Sequence, residues 1–245
     1  MKKLLIISIF TLFPLLANAS GGGHLDKVDI DLSNKESLQS GAKIFVNYCL
    51  SCHSASYMRY NRMAVDLNMS TELVEKNLMF ASDKIGSTMD VAMDKTDAKS
   101  WFGTTPPDLS VIARSRSPEW LYTYFRTFYL DESRPFGVNN ALFKDVGMPH
   151  VLWELEGTKQ AIFEEKEDHD GSKVKEIVGY KEVTKGSRTK VEYDNDVKDL
   201  VAFLDYMGEP AKTERKALGV WVLIYLFILF LVSYAMKKEF WKDVH

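Results

Sequence analysis

Cys49-Leu50-Ser51-Cys52-His53 decides how this chain is read. Two cysteines separated by two residues, with histidine directly after, form the attachment signature of a c-type haem. Two thiols one short turn apart can reach the two vinyl groups on one edge of a porphyrin. His53 is then placed to turn its imidazole onto the iron. The competing readings are a dithiol redox pair or half of a zinc site. Structural zinc takes four N or S ligands, and Cys49 and Cys52 are the only two cysteines among 245 residues. A thioredoxin-like pair has no need of the adjacent histidine. One covalently attached haem c is therefore the expected cofactor.

Working outward, the two ends of the chain set the compartment. Met1-Lys2-Lys3, a largely apolar run from Leu4 to Leu16 and the small residues Ala17-Asn18-Ala19 read as an export signal over 1–19. About 13 apolar residues are too few to cross a bilayer. A second apolar run, Ala217 to Met236, holds no charged residue in its 20 positions. As a helix it reaches about 30 Å, one hydrocarbon core, with Trp221, Tyr225, Tyr234 and Trp241 near its ends as interfacial aromatics. Basic residues flank it evenly, so the export signal decides orientation. The expected organisation is a signal over 1–19, an exported haem domain over 20–211, a membrane anchor with its juxtamembrane segment over 212–236, and a cytoplasmic tail over 237–245. That is a single-pass protein of the inner (cytoplasmic) membrane with its haem domain on the periplasmic side.

Residues 20–211 hold 23 Lys and Arg against 31 Asp and Glu, a formal charge of −8. Such a surface repels nucleic acid and steers a basic partner protein towards it.

Local patterns suggest a mainly α fold. Ser33-Asn34-Lys35-Glu36 reads as a capping box opening a helix with Leu38, Ala42, Phe45 and Tyr48 at helical spacing, which runs into Cys49. A helix from Ser70 places Leu73, Asn77 and Phe80 on one side, and residues 81–105 read as a long loop. Ser117-Pro118-Glu119 starts an aromatic helix over Trp120 to Tyr129. Residues 162–193 form a charged insert, with turn signals at Asp170-Gly171 and Lys185-Gly186-Ser187 and a short β-hairpin near Val174 to Val183. The run Glu164–Asp170 reads as a solvated face. The last soluble helix begins near Asp194, carries Val197, Leu200, Val201, Leu204 and Met207, and stops at Gly208 and Pro210.

The iron has a second axial position, and its occupant separates an electron carrier from a small-molecule enzyme. His24, His150, His169, His245 and the methionines are candidates. Met58, Met63 and Met69 follow the motif too closely to cross the ring. Met148, in Val146-Gly147-Met148-Pro149, lies between the aromatic and final helices, and His150 is the alternative. In Thr105-Pro106-Pro107-Asp108-Leu109-Ser110 the prolines build an extended wall against a porphyrin edge. Arg114 and Arg116, just after it, are of the type that holds a propionate; solvated surface arginines are the plainer reading.

Four stretches together resemble the cytochrome c1 family, the haem subunit of the quinol–cytochrome c reductase (bc1) complex, in its bacterial form. They are Cys49-Leu50-Ser51-Cys52-His53-Ser54, Pro106-Pro107-Asp108-Leu109-Ser110, Gly147-Met148-Pro149 and the single C-terminal membrane helix ending Tyr234-Ala235-Met236-Lys237. Their order and spacing cover nearly the whole chain after the signal. The resemblance implies thioether bonds to Cys49 and Cys52, His53 as proximal and Met148 as distal ligand, Pro107 against the haem, and Arg116 as the propionate-binding arginine. It implies a cytochrome b subunit and a Rieske iron–sulfur protein as partners, with electrons passed to a cytochrome c, and no catalytic residue in this subunit. Two departures stand out. Pro149-His150-Val151-Leu152-Trp153 is not the proline-rich continuation of mitochondrial members, and the 162–193 insert has no role that carries over. The rival readings are another membrane-tethered c-type cytochrome of an oxidase or dehydrogenase, a haem enzyme with an open iron, and a haem-free thiol oxidoreductase.

Overall fold

The computed structural model describes residues 24–167 and 173–243. The export signal over 1–19, the Asp170-Gly171 turn, and the candidate ligands His169 and His245 lie outside them. About half of the described residues are helical, and among them three two-stranded antiparallel sheets decorate the helices.

Two helices far apart in sequence cross to make the centre of the fold. The first, α1 (Lys35–Ile44), buries Leu38 and Ala42 and runs into a single π-helical turn, Phe45–Cys49. Its N-cap is Asn34, whose side chain accepts from Ser37 N at 3.1 Å, while Ser33 turns back to Asp31. The capping box expected at Ser33 is therefore replaced by a simple cap one residue later, with no reciprocal bond from Ser37. The crossing partner is the long helix near the C-terminus, α8 (Lys190–Gly208), which buries Val197, Leu200, Val201, Phe203 and Leu204. Gly41 makes the close approach possible: a Cβ there would stand 2.0 Å from the Asp199 carbonyl oxygen. Phe45 and Phe203 meet at 5.6 Å, and Ser37 Oγ donates to Asp199 Oδ1 at 2.5 Å. The long helix starts earlier than apolar spacing suggests, because Thr189 and Glu192 form a reciprocal capping box.

Between these helices the chain wraps the haem motif. After Cys49 come β1 (Ala55–Arg59), α2 (Tyr60–Asp66), α3 (Thr71–Asn77), β2 (Thr88–Met89) and α4 (Lys95–Phe102). Ser70 caps α3 as expected, but its buried side is Val74 and Leu78, whereas Leu73 and Phe80 are exposed. The stretch expected to be loop over 81–105 contains β2, paired to β1, and α4, capped by Asp94. A five-residue helix, α5 (Ile112–Arg116), leads into α6 (Pro118–Arg126). The aromatic helix thus ends three residues before Tyr129, and β3 (Phe128–Leu130) follows it, paired with β4 (Val138–Asn140).

The charged insert is a hairpin longer than expected. A short helix, α7 (Trp153–Glu156), leads into β5 (Gly157–Glu167), which pairs along its whole length with β6 (Lys173–Lys185). Its base rests on the domain through Tyr129 and Phe163, 6.0 Å apart, and through Lys159 Nζ, which donates to the Arg126 carbonyl at 2.6 Å. In the solvated run, Glu164, Glu165 and Lys166 are exposed.

The final element, α9 (Lys212–Phe240), has no buried residue and is long and apolar enough to cross a membrane. Its 29 residues extend beyond the apolar run at both ends and span about 43 Å. Glu209, Pro210 and Ala211 separate it from α8. Across that joint Lys212 Nζ pairs with Asp205 at 2.7 Å and Arg215 with Glu209 at 2.5 Å.

Candidate haem site

The motif is shaped by the π turn that ends in it. The Leu50 amide reaches back five residues to the Phe45 carbonyl at 3.0 Å, and the amides of Cys52 and His53 both donate to the Cys49 carbonyl, at 3.1 and 2.9 Å. This widened, reversed turn carries Cys49 and Cys52 as free thiols. Cys49 is buried, and burial, with a smaller contribution from Cys52, pushes its thiol up to about 12. A redox dithiol works through a thiolate of lowered pKa, so this pair is poorly suited to thiol exchange. Thioether formation, which consumes the thiol, has no such conflict.

His53 is held from behind. Its Nδ1 lies 2.7 Å from the Pro107 carbonyl oxygen. A carbonyl only accepts, so Nδ1 carries the proton and Nε2 keeps a free lone pair for a metal. Burial lowers the pKa of the ring, opposed in part by the Pro107 bond and the Asp108 charge, and this favours the neutral imidazole that can ligate. Pro107 was expected as a wall against the porphyrin; its recorded contact with the motif is its carbonyl.

That carbonyl is positioned by a stitched loop. Asp108 Oδ2 accepts from Ser56 N at 2.9 Å and its Oδ1 from Ser110 N at 2.8 Å. Leu109 N donates to the Ser54 carbonyl at 2.8 Å, and Tyr57 N donates to Ser110 Oγ at 3.1 Å. Burial raises the Asp108 pKa, but hydrogen bonds from Ser110 and Ser56 outweigh it and hold the carboxyl below its ordinary value. Asp108 and Ser110 entered the sequence reading only as parts of a motif, and Ser56 did not enter it.

The same loop continues through α5 to the other half of the site. Arg114 packs its stem against Gly208, whose Cβ would stand 3.2 Å from Arg114 Cγ. Arg116, exposed like Arg114, sets its guanidinium 5.1 Å from the Trp120 ring centre and 5.9 Å from Phe143. Ser117 (φ 81°, ψ 153°) occupies backbone space that usually requires glycine, and its hydroxyl caps α6 by accepting from Trp120 N at 3.2 Å. Trp120 stacks on Tyr124, with ring centres 4.9 Å apart at 13°. The Tyr124 hydroxyl donates to Met148 Sδ at 3.5 Å. Burial raises the Tyr124 pKa well above its ordinary value, so the phenol is a donor. Arg116 and Met148, 32 residues apart, are thus joined by one aromatic wall.

Asparagines pin the loop that carries Met148. Asn140 Nδ2 donates to the Tyr124 carbonyl at 2.7 Å, while its Oδ1 accepts from Leu142 N and Phe143 N. Asn139 Oδ1 accepts from Asp145 N at 2.9 Å, and Arg134 grips the Asp145 carbonyl at 2.8 Å. His150, the alternative ligand, is buried beside the same loop. Its ring stacks on Phe128 at 4.9 Å, and its Nε2 lies 2.8 Å from Glu156 Oε2, too poorly aligned for a hydrogen bond.

These residues fit a haem c: two free thiols on one turn, an imidazole with a fixed tautomer, and a thioether set in an aromatic wall that also carries an arginine. The Cytochrome C1 family model matches residues 28–244. Cytochrome c1 of Allochromatium vinosum is 48% identical over the full length of both chains. The ammonia monooxygenase gamma subunit of Nitrosomonas europaea is 46% identical over all of this chain and 99% of its own. Cytochrome c1 of Rhodospirillum rubrum is 25% identical over 84% of this chain and 81% of its own.

Proposed function

This chain belongs to the cytochrome c1 family, and from that premise we propose the residues, partners and sidedness through which it works. Membership makes it a membrane-anchored electron carrier of the bc1 complex, with one covalently attached haem c. Bound haem c supplies a centre that takes up and releases one electron at a time. In our reading Cys49 and Cys52 would hold it by thioethers, His53 Nε2 and Met148 Sδ would ligate its iron, and Arg116 would meet a propionate. Ligands supplied wholly by the protein would leave electron exchange as the chemistry of the group. The subunit then passes electrons without making or breaking bonds.

The observation that carries this reading is the Nδ1 bond from His53 to Pro107, which leaves Nε2 free. A neutral imidazole on one side and a thioether on the other keep the same ligands in both oxidation states, and the thioether favours the reduced one. The stitched loop behind His53 and the wall around Met148 limit ligand movement when the electron arrives. We assign the donor as a Rieske iron–sulfur protein, the acceptor as a cytochrome c and the membrane neighbour as a cytochrome b subunit. The formal charge of −8 over residues 20–211 supports a basic acceptor. The Lys2-Lys3 signal pattern supports a periplasmic haem domain and a cytoplasmic C-terminus.

Met148→Leu in the purified complex tests the assignment. It is expected to keep the covalent haem, lose the sulfur-to-iron(III) charge-transfer absorption, and lower both the midpoint potential and the rate of cytochrome c reduction. An unchanged spectrum and potential would overturn Met148 as ligand.

A further inference from the structure

We propose that Tyr124 is a positioning residue for electron transfer, its hydroxyl donating a hydrogen bond to the Met148 sulfur that orients this ligand and raises the reduction potential. The inference rests on Met148 being the distal ligand, as read above.

The contact joins two side chains that have little freedom. The Tyr124 ring is 8% exposed. Trp120 covers one face, while Phe125 and Phe128 meet it edge-on at 5.5 and 5.1 Å. Its own carbonyl is held by Asn140. Trp120 is in turn covered by Arg116. On the other side, Val146 is buried and Asp145 is held by Asn139 and Arg134, so the backbone just before Met148 is set. The 3.5 Å from oxygen to sulfur is a normal separation for a hydroxyl donating to a thioether.

The choice of acceptor sets Tyr124 apart. Buried phenols seek strong acceptors, as two others in this domain do: Tyr193 donates to the Phe125 carbonyl and Tyr206 to Asp66, both at 2.8 Å, while the Tyr60 hydroxyl has no partner among the described residues. Thioether sulfur is a weak acceptor. A hydroxyl kept on sulfur in a packed core gives less stability than one on a carbonyl. Its effect is therefore to be sought in the chemistry of the sulfur. A thioether bound to iron through one lone pair retains a second that can accept. Donation to that pair withdraws electron density from sulfur and weakens its support of Fe(III) more than of Fe(II), which favours the reduced state. The same bond fixes the orientation of an otherwise flexible methionine.

Potentiometry and visible spectroscopy on the assembled holoprotein test this. Tyr124→Phe removes one oxygen. It is expected to keep the sulfur-to-iron charge-transfer band while shifting the equilibrium with a reference couple about two- to tenfold towards oxidised protein, the worth of one hydrogen bond. A 3-fluorotyrosine at position 124, a stronger donor of nearly the same shape, is expected to shift it the other way, and decides the matter if the phenylalanine variant does not assemble. Tyr193→Phe, which loses a buried hydroxyl that donates to the Phe125 carbonyl and not to sulfur, is expected to lower thermal stability without moving the potential. An unmoved potential with the band intact in the Tyr124 variants, or an equal shift in Tyr193→Phe, would overturn the role of Tyr124 and leave Met148 ligation standing. Absence of the band from the unsubstituted protein would overturn both.

Discussion

Asp108 holds the loop behind His53 together, so its protonation state reaches the haem site. Its folded pKa lies below the ordinary carboxylate value, so the unfolded chain takes up the proton first as pH falls. The stabilisation is complete above about pH 4, the unfolded value, and is lost as pH drops through the folded one. Asp108→Asn is therefore expected to flatten the acid side of the Tm–pH profile, by less than about 1 kcal/mol because the carboxylate is largely solvated. At this scale the sequence was legible in kind: Cys49, Cys52 and His53 do lie on one reversed turn, with both thiols free. Pro107 carries more than its residue type states. Beside the wall read from its ring, its carbonyl contacts His53, and the direction of that carbonyl is a property of the folded loop. Tyr124 shows the same from another side, because an aromatic helix is readable but the partner of one hydroxyl on it is not.

The crossing of α1 and α8 is the element on which the haem turn stands. Gly41 lies against the Asp199 carbonyl, so Gly41→Ala forces the helices apart. Overpacking of this kind costs about 3 kcal/mol. Calorimetry on the haem domain is expected to show Tm falling by roughly 6–12 °C. Leu38, Ala42 and Phe45 announced the first of these helices by spacing alone, and Val197 to Met207 the second. The start of α8 was missed because its first turn is polar and only the Thr189–Glu192 pair marks it. α4 buries Ala98 alone and offers no apolar period, so a charged stretch was read as loop. In α3 the apolar side was misplaced by one residue, onto Leu73 where Val74 is buried. The hairpin was legible in kind but not in length, because cross-strand pairing, which no single strand displays, decides where β5 and β6 end.

For the whole molecule, anchor and haem domain are separable in a defined way. Ending the chain after Lys216 removes the apolar run but keeps Lys212 on Asp205, a carboxylate that is only 7% exposed. Such a variant is expected to partition into the aqueous phase with the same midpoint potential as the full chain. Ending it before Lys212 would leave that carboxylate without its cation, and the comparison separates solubility from stability. The joint between the two parts is three residues long and can open to about 10 Å at most, and two ion pairs draw it shorter still. An electron carrier on such a brief leash cannot ferry its charge between distant stations. It is a fixed stop on the route, so whatever travelling the reaction needs must be done by the proteins that come to it.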